Sequence, residues 1–131
     1  MFGRLSGISR YFSSAGGSSS AGSQNQQILT AVKDLVEETV TSNRVAIFSK
    51  SYCPYCTQAK TLFKEKYPDA QTTVIELDER DDGGHIQDYL AEKTGQYTVP
   101  NVFINSTHLG GCDDTLAAFR SGKLATMLKS A

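Results

Sequence analysis

Cys53-Pro54-Tyr55-Cys56 places two thiols two residues apart. A pair at that spacing interconverts between dithiol and disulfide, which is redox chemistry. It follows an apolar, β-branched run, Val45-Ala46-Ile47-Phe48, and precedes a stretch with helical spacing. The pair therefore sits where a strand ends and a helix begins. A helix N-terminus carries roughly half a positive charge and free N–H groups. A thiol placed there loses its proton more readily, and the thiolate is the reactive form. Cys53, just ahead of the helix, is the expected nucleophile. Cysteines of this kind have pKa values of about 3.5 to 7.5, so Cys53 is expected mostly ionised at neutral pH. Lys50, three residues earlier, adds positive potential. Zinc binding is the competing use of such a pair. Zinc needs four ligands, often from two such pairs. The remaining candidates, Cys112, His85 and His108, form no second unit of that kind, so no metal is expected.

The elements that must hold this pair are legible in outline. Ile28, Leu29, Val32, Leu35, Val36 and Val40 recur at helical spacing and predict a first helix. Val45 to Ser49 predicts a strand. Pro54 suits the first position of a second helix, where its missing N–H costs nothing. That helix turns Ala59, Leu62 and Phe63 inward and ends near Tyr67-Pro68. Thr72 to Leu77 predicts a second strand. A third helix opens at Gly83-Gly84, buries Ile86, Tyr89 and Leu90, and stops at Gly95. Asn101 to Asn105 and Thr107 to Leu109 pair as a hairpin. Asp113 or Asp114 caps a helix through Phe119, and Lys123 to Leu128 closes the chain. A helix joining the first two strands implies a parallel pair; the hairpin is antiparallel. The expectation is an α/β domain over residues 28–131, with a small mixed four-stranded sheet flanked by helices.

Residues 1–27 are different material. They contain no Asp or Glu, and their charges are Arg4 and Arg10. Wound as a helix, Leu5, Ile8 and Phe12 share one face and Arg10 lies opposite. Arg-bearing, Ser-rich and acid-free composition describes an organelle transit peptide. Ser13 to Gln27 reads as a flexible linker. The expected address is mitochondrial, with a plastid or an unaddressed cytoplasmic tail as alternatives. The chain has 131 residues and a net charge of -1, which gives no electrostatic case for nucleic acid or a membrane surface. No apolar run approaches the ~18 residues of a membrane span. Three cysteines do not suit a fully paired secreted framework, so a reducing compartment is expected.

Four blocks in order carry a resemblance. They are Phe48-Ser49-Lys50-Ser51-Tyr52-Cys53-Pro54-Tyr55-Cys56, Ile86-Gln87-Asp88-Tyr89-Leu90, Thr98-Val99-Pro100-Asn101-Val102-Phe103-Ile104, and Gly110-Gly111-Cys112-Asp113-Asp114. Residues 28–131 resemble a dithiol glutaredoxin of the thioredoxin fold, and the tail suggests an organelle-targeted form. The resemblance is not to thioredoxin itself, which places Trp before the first cysteine and Gly-Pro between the pair. Cys56 excludes the monothiol class.

The resemblance implies a glutathione-dependent thiol–disulfide oxidoreductase acting on protein–glutathione mixed disulfides and protein disulfides. It implies Cys53 as nucleophile and Cys56 as resolving thiol, with glutathione as co-substrate and the protein a monomer. Lys50 and Gln87 would hold the glycine carboxylate of glutathione. Thr98-Val99-Pro100, with a cis bond before Pro100, would offer backbone groups to it as an added strand does. The N–H groups of Asp113 and Asp114 suit the γ-glutamyl carboxylate, and Asp114 its ammonium. Tyr55 offers a ring beside the sulfur path. Each has a plainer reading: a solvated lysine, a helix-surface glutamine, a strand-start proline, helix caps, and a half-buried tyrosine. Cys112 reads as a small buried filler, or as a thiol for regulatory mixed disulfides. Lys60 and Lys64 read as a solvated helix face. Asn105-Ser106-Thr107 matches a glycosylation sequon by chance and replaces the Gly-containing hairpin tip usual in the family. The alternative function is a carrier of a glutathione-ligated [2Fe–2S] cluster, which Pro54 disfavours.

Overall fold

The computed structural model describes residues 20–130. The transit-peptide reading therefore lies outside the described residues as far as residue 19. The elements are α1 (Ser20–Ser42), β1 (Val45–Ser49), α2 (Pro54–Lys66), β2 (Thr72–Glu76), a 3-10 turn (Leu77–Glu79), α3 (Gly83–Thr94), β3 (Asn101–Ile104), β4 (Thr107–Gly110), α4 (Cys112–Ser121) and α5 (Lys123–Lys129). The chain divides into two units, Met1–Ala31 and Val32–Ala131. The described part of the first is the opening of α1. The second carries the sheet and the helices that follow.

Several boundaries depart from the sequence reading; Leu77, expected to end a strand, opens the 3-10 turn, and Asn105, expected in a hairpin strand, lies in its loop. Ser20 to Gln27, expected as flexible linker, is helical. Gln24, Gln26 and Gln27 are straight-chain residues that lose little freedom in a helix, and no proline interrupts them. The fourth helix begins at Cys112 with Gly111 as its N-cap, so neither Asp113 nor Asp114 is the cap residue. Asp114 instead reaches back from the third helical position, and its Oδ2 accepts the Gly111 N–H at 3.1 Å.

The strands lie in the order β2-β1-β3-β4. β1 runs parallel to β2 and antiparallel to β3, and β3 runs antiparallel to β4. This is the mixed thioredoxin-fold sheet that the resemblance implies. β1 alternates its side chains between two cores. Ala46 and Phe48 join Val36, Val40, Ile86, Leu90 and Phe103 on one face. Val45 and Ile47 join Leu62, Phe63, Val102, Ile104 and Leu124 on the other. Covered on both sides, all five β1 residues are buried, which is why the strand reads as a continuous apolar run rather than an alternation. Phe48 meets Phe103 edge-on, with ring centroids 6.0 Å apart; such a pair contributes about 0.5–1.5 kcal/mol beyond its buried area.

The hairpin tip is a two-residue loop. Asn105 and Ser106 have φ of 49° and 70°, the left-handed pair of a primed turn that matches the twist of its strands. Asn tolerates this region better than most residues. Its amide also donates to the Met127 carbonyl at 2.7 Å, tying the tip to α5.

Candidate active site

Cys53 is the N-cap of α2, with an extended backbone at φ −88° and ψ 120°. Pro54 takes the first helical position. A tight turn precedes the helix, with the Cys53 N–H donating to the Lys50 carbonyl at 3.0 Å. Asp78, beyond β2, clasps this turn: its Oδ1 accepts the Ser51 N–H at 2.9 Å, and its Oδ2 accepts the Ser51 hydroxyl. These two donors hold the Asp78 carboxyl below its usual range. No local pattern pairs residues this far apart, so the clasp was not legible in the sequence.

The two thiols differ in environment. Cys53 is half-buried; Cys56 is buried. The Cys56 N–H points at Cys53 Sγ, 3.4 Å away, in the way an N-cap side chain accepts from the first turn. Burial pushes the Cys53 thiol up. The Cys56 N–H, the Cys56 thiol, the Tyr55 N–H and the Lys60 charge together outweigh it, and the net direction is down. Burial dominates at Cys56 and pushes its thiol up, with the nearby Cys53 sulfur adding to the effect. The Lys50 N–H, 3.5 Å from Cys56 Sγ, and the Ser49 hydroxyl only partly oppose this. The two thiols are thus shifted in opposite directions, Cys53 toward the thiolate and Cys56 toward the thiol.

Lys60 is a cation whose charge lowers the Cys53 pKa. Lys60 lies on α2 two turns beyond Cys53, and its Nζ pairs with Glu76 Oε2 on β2 at 2.7 Å. The spacing of seven residues from Cys53 was the available signal, obscured by counting Lys60 with Lys64 on a solvated face.

A groove of about 520 Å³ beside the α2 N-terminus is lined by Tyr55, Gln96, Thr98, Val99, Pro100, Gly111, Cys112, Asp113 and Asp114. It gathers six of the eight residues that the resemblance assigns to glutathione: Tyr55, Thr98, Val99, Pro100, Asp113 and Asp114. The Val99–Pro100 bond is cis. Gln96, which sequence reasoning missed, braces this wall by donating to the Thr98 carbonyl at 3.0 Å and the Pro100 carbonyl at 2.9 Å. Gly110, at φ +130°, lies where an added Cβ would fall 2.2 Å from Asp114 Oδ2. Gly111 has only ordinary contacts around such an atom, so the close approach is a property of Gly110 alone.

Lys50 and Gln87 do not line the groove. Lys50 is spent through its backbone on the two cysteines, and its side chain is half-buried. Gln87 is buried, and its Nε2 donates to the Tyr97 carbonyl at 2.8 Å. It props the loop leading to Thr98, and one amide hydrogen remains for anything else. Cys112 stands in the groove wall, buried, with its thiol directed at Gln58 Oε1 at 3.3 Å. Burial first, then Asp113 and the Cys53 sulfur, push its pKa up, so it is the poorer nucleophile of the two.

The contrast between Cys53 and Cys56 sets a pH expectation. Alkylation of the reduced protein by iodoacetamide should modify Cys53 first, with the midpoint of its rate below the ~8.5 of a free thiol. Reactivity is lost as pH falls through the Cys53 pKa. Cys56 should stay unmodified over the same range. Peptide mass spectrometry locates the label. A Cys53 midpoint at or above 8.5 would overturn the assignment of the thiolate.

The model of the family described as Glutaredoxin matches residues 45–109. Glutaredoxin-C4 of Arabidopsis thaliana is 55% identical over 95 residues, which are 72% of this chain and 69% of that protein. Glutaredoxin-C8 of Oryza sativa subsp. japonica is 54% identical over 93 residues, 71% of this chain and 68% of that protein. A solved buckwheat glutaredoxin–glutathione complex is similar with a TM-score of 0.73 at 44% identity, over 79% of this chain and 92% of that one.

Proposed function

The chain belongs to the glutaredoxin family of thiol oxidoreductases, and from that premise we propose that it uses glutathione to reduce protein–glutathione mixed disulfides and protein disulfides. One observation carries the reading. A half-buried sulfur with a lowered pKa stands at the N-terminus of α2, beside a groove of about 520 Å³. The glutathione bound in the buckwheat relative supports the choice of tripeptide.

In this reading the Cys53 thiolate attacks the glutathione sulfur of a mixed disulfide. The protein sulfur leaves with the bonding pair and takes up a proton, and Cys53 carries glutathione. A second glutathione thiolate attacks that adduct at the glutathione sulfur, releasing glutathione disulfide and the Cys53 thiolate. A low pKa helps twice, since it supplies thiolate and makes a good leaving group. For a protein disulfide, Cys53 forms a mixed disulfide with one target sulfur. Cys56 then attacks Cys53 Sγ, expels the target thiolate and closes the Cys53–Cys56 bond. Two glutathiones reopen it.

The groove residues have assignable tasks. The Val99 backbone pairs with the tripeptide as a neighbouring strand would. The free N–H groups opening α4 at Asp113 and Asp114 receive the γ-glutamyl carboxylate, and Asp114 faces its ammonium. Thr98 and Pro100 shape the wall, and Tyr55 covers the sulfur path. Outside the groove, Lys50 and Gln87 serve the glycine carboxylate, Gln87 through its one remaining hydrogen. A glutathione-coupled assay on a small glutathione mixed disulfide tests the whole reading. Turnover that rises with glutathione and saturates in the mixed disulfide is expected. Equal turnover when a simple thiol replaces glutathione would remove the tripeptide site.

Residues 1–27 are assigned a mitochondrial address on composition. A fusion of that segment to a fluorescent protein should co-localise with mitochondria; diffuse or plastid fluorescence would replace the assignment.

A further inference from the structure

Cys56 must lose its proton to act as a resolving thiol, and it is fully buried. The proton therefore needs an acceptor inside the protein. The Lys50 N–H beside Cys56 Sγ is a donor, and the Cys53 sulfur is bonded to the target at that moment. The remaining polar groups lie on the sheet beneath α2. Ser49 ends β1 and is paired in register with Glu76, which ends β2. Both follow by two residues a side chain packed on the α2 side, Ile47 and Val74, so both face that helix. Cys56 and Lys60, one turn apart, look down on them.

Among the described residues, Ser49 Oγ and Glu76 Oε1 are the buried side-chain oxygens or nitrogens that no well-formed hydrogen bond engages, although the Ser49 hydroxyl lies near enough to Cys56 to favour its thiolate. Buried polar atoms are nearly always paired, and an exception calls for a reason. Two exceptions on register partners, under the one buried thiol that must ionise, share a reason. Glu76 is oriented for it: Oε2 is held by Lys60 at 2.7 Å, which leaves Oε1 as the acceptor.

Resting on the oxidoreductase reading above, we propose that Glu76, with the Ser49 hydroxyl as carrier, is the base that takes the Cys56 proton when Cys56 closes the disulfide. As Cys56 Sγ attacks Cys53 Sγ, the Cys53–Cys56 bond forms and the bond from Cys53 to the target sulfur breaks. The target leaves as thiolate with the bonding pair. The Cys56 proton passes to Ser49 Oγ while the Ser49 proton passes to Glu76 Oε1. A rotation of the Ser49 side chain, or one bridging water of the kind that fills buried polar gaps, spans the remaining separation. When glutathione attacks Cys53 Sγ and reopens the disulfide, the Cys56 thiolate recovers its proton by the same route. Lys60 thus has two duties, one toward the Cys53 charge and one toward the carboxylate behind Cys56.

The test separates closure from the first attack. Reduced protein is mixed with excess 2,2′-dithiodipyridine, a disulfide that needs no glutathione site. Cys53 attack releases one pyridinethione; Cys56 attack on the adduct releases the second, and each is read by absorbance. Wild type should give two phases. A positioned base contributes about 10²–10⁴-fold to such steps. Ser49→Ala and Glu76→Gln should therefore slow the second phase at least tenfold, while the first stays within about twofold. Glu76→Asp, which keeps the carboxylate, should recover part of the loss. Ser49→Ala removes a single oxygen and carries the test if Glu76→Gln does not fold, which the first-phase amplitude reports. An unchanged second phase in Ser49→Ala, or a first phase that falls in step with the second, would overturn the proposal. Loss of glutathione-coupled turnover with normal closure in wild type would instead strike the glutathione reading and leave this one standing.

Discussion

Cys53→Ser should bring glutathione-coupled turnover below about one thousandth of wild type on both mixed disulfides and protein disulfides, the scale seen when a covalent nucleophile is removed. A serine hydroxyl in the same place stays protonated at neutral pH, because its pKa lies far above any thiol's. The helix N–H groups that suffice to ionise a thiol cannot bridge that difference. Cys56 cannot take over, since it is buried and its thiol is pushed up. Cys56→Ser should behave differently. Reduction of a protein disulfide should fall at least about a hundredfold, on the scale of an intramolecular step made bimolecular. Turnover of a small glutathione mixed disulfide should persist within severalfold, because that cycle uses one protein sulfur. The checking measurement is the same glutathione-coupled assay run on two substrates with three proteins. Equal loss of mixed-disulfide turnover in both variants would contradict the division of labour between the sulfurs.

Gly83→Ala should destabilise the domain by about 3 kcal/mol, the upper range for overpacking a tight site. Gly83 is buried at the start of α3, and an added Cβ would fall 1.9 Å from the Leu77 carbonyl oxygen. That oxygen belongs to the backbone of the 3-10 turn, so no side-chain rotation relieves the clash. At about 4–8 °C per kcal/mol for a domain of this size, the melting temperature should drop by roughly 12–24 °C. Gly84→Ala is the internal control. Nothing lies within 4 Å of its added Cβ, and Ala is favoured over Gly in a helix by up to about 1 kcal/mol. The neighbouring substitution should therefore be neutral or mildly stabilising. Urea unfolding of both variants checks the pair, and similar midpoints for the two would mean that α3 does not approach the turn as described. The damage would also reach the site, because α3 carries Gln87, whose amide props the Tyr97 carbonyl.

Much of this architecture is written in local patterns. The apolar run into Cys53 predicts a strand because β1 is covered on both faces, and Pro54 predicts the helix start because its missing N–H is an orphan there in any case. Gly95 stops α3 in the left-handed conformation that favours glycine. What stayed hidden is what depends on register and distance. Lys60 and Glu76 meet only because α2 lies over the β1–β2 pair, and Ser51 meets Asp78 only because the chain after β2 passes beneath the turn before Cys53. A glutamine on a helix carries no mark that its amide is already committed to a carbonyl ten residues on, as with Gln87. The start of α1 differs from the linker expectation for another reason. Ser and Gly composition favours coil there, while the Gln residues and the absence of proline also allow the helix that forms.

The placement of Cys53 one short bend beyond a strand buried along its whole length has a mechanical corollary. β1 is covered by side chains on both faces and flanked by β2 and β3, so close packing leaves it little room to move. The shortening between the two sulfurs as they bond must then be absorbed by the first turn of α2 and by the Lys50–Tyr52 bend. A change of oxidation state should therefore alter the surface over only a few residues.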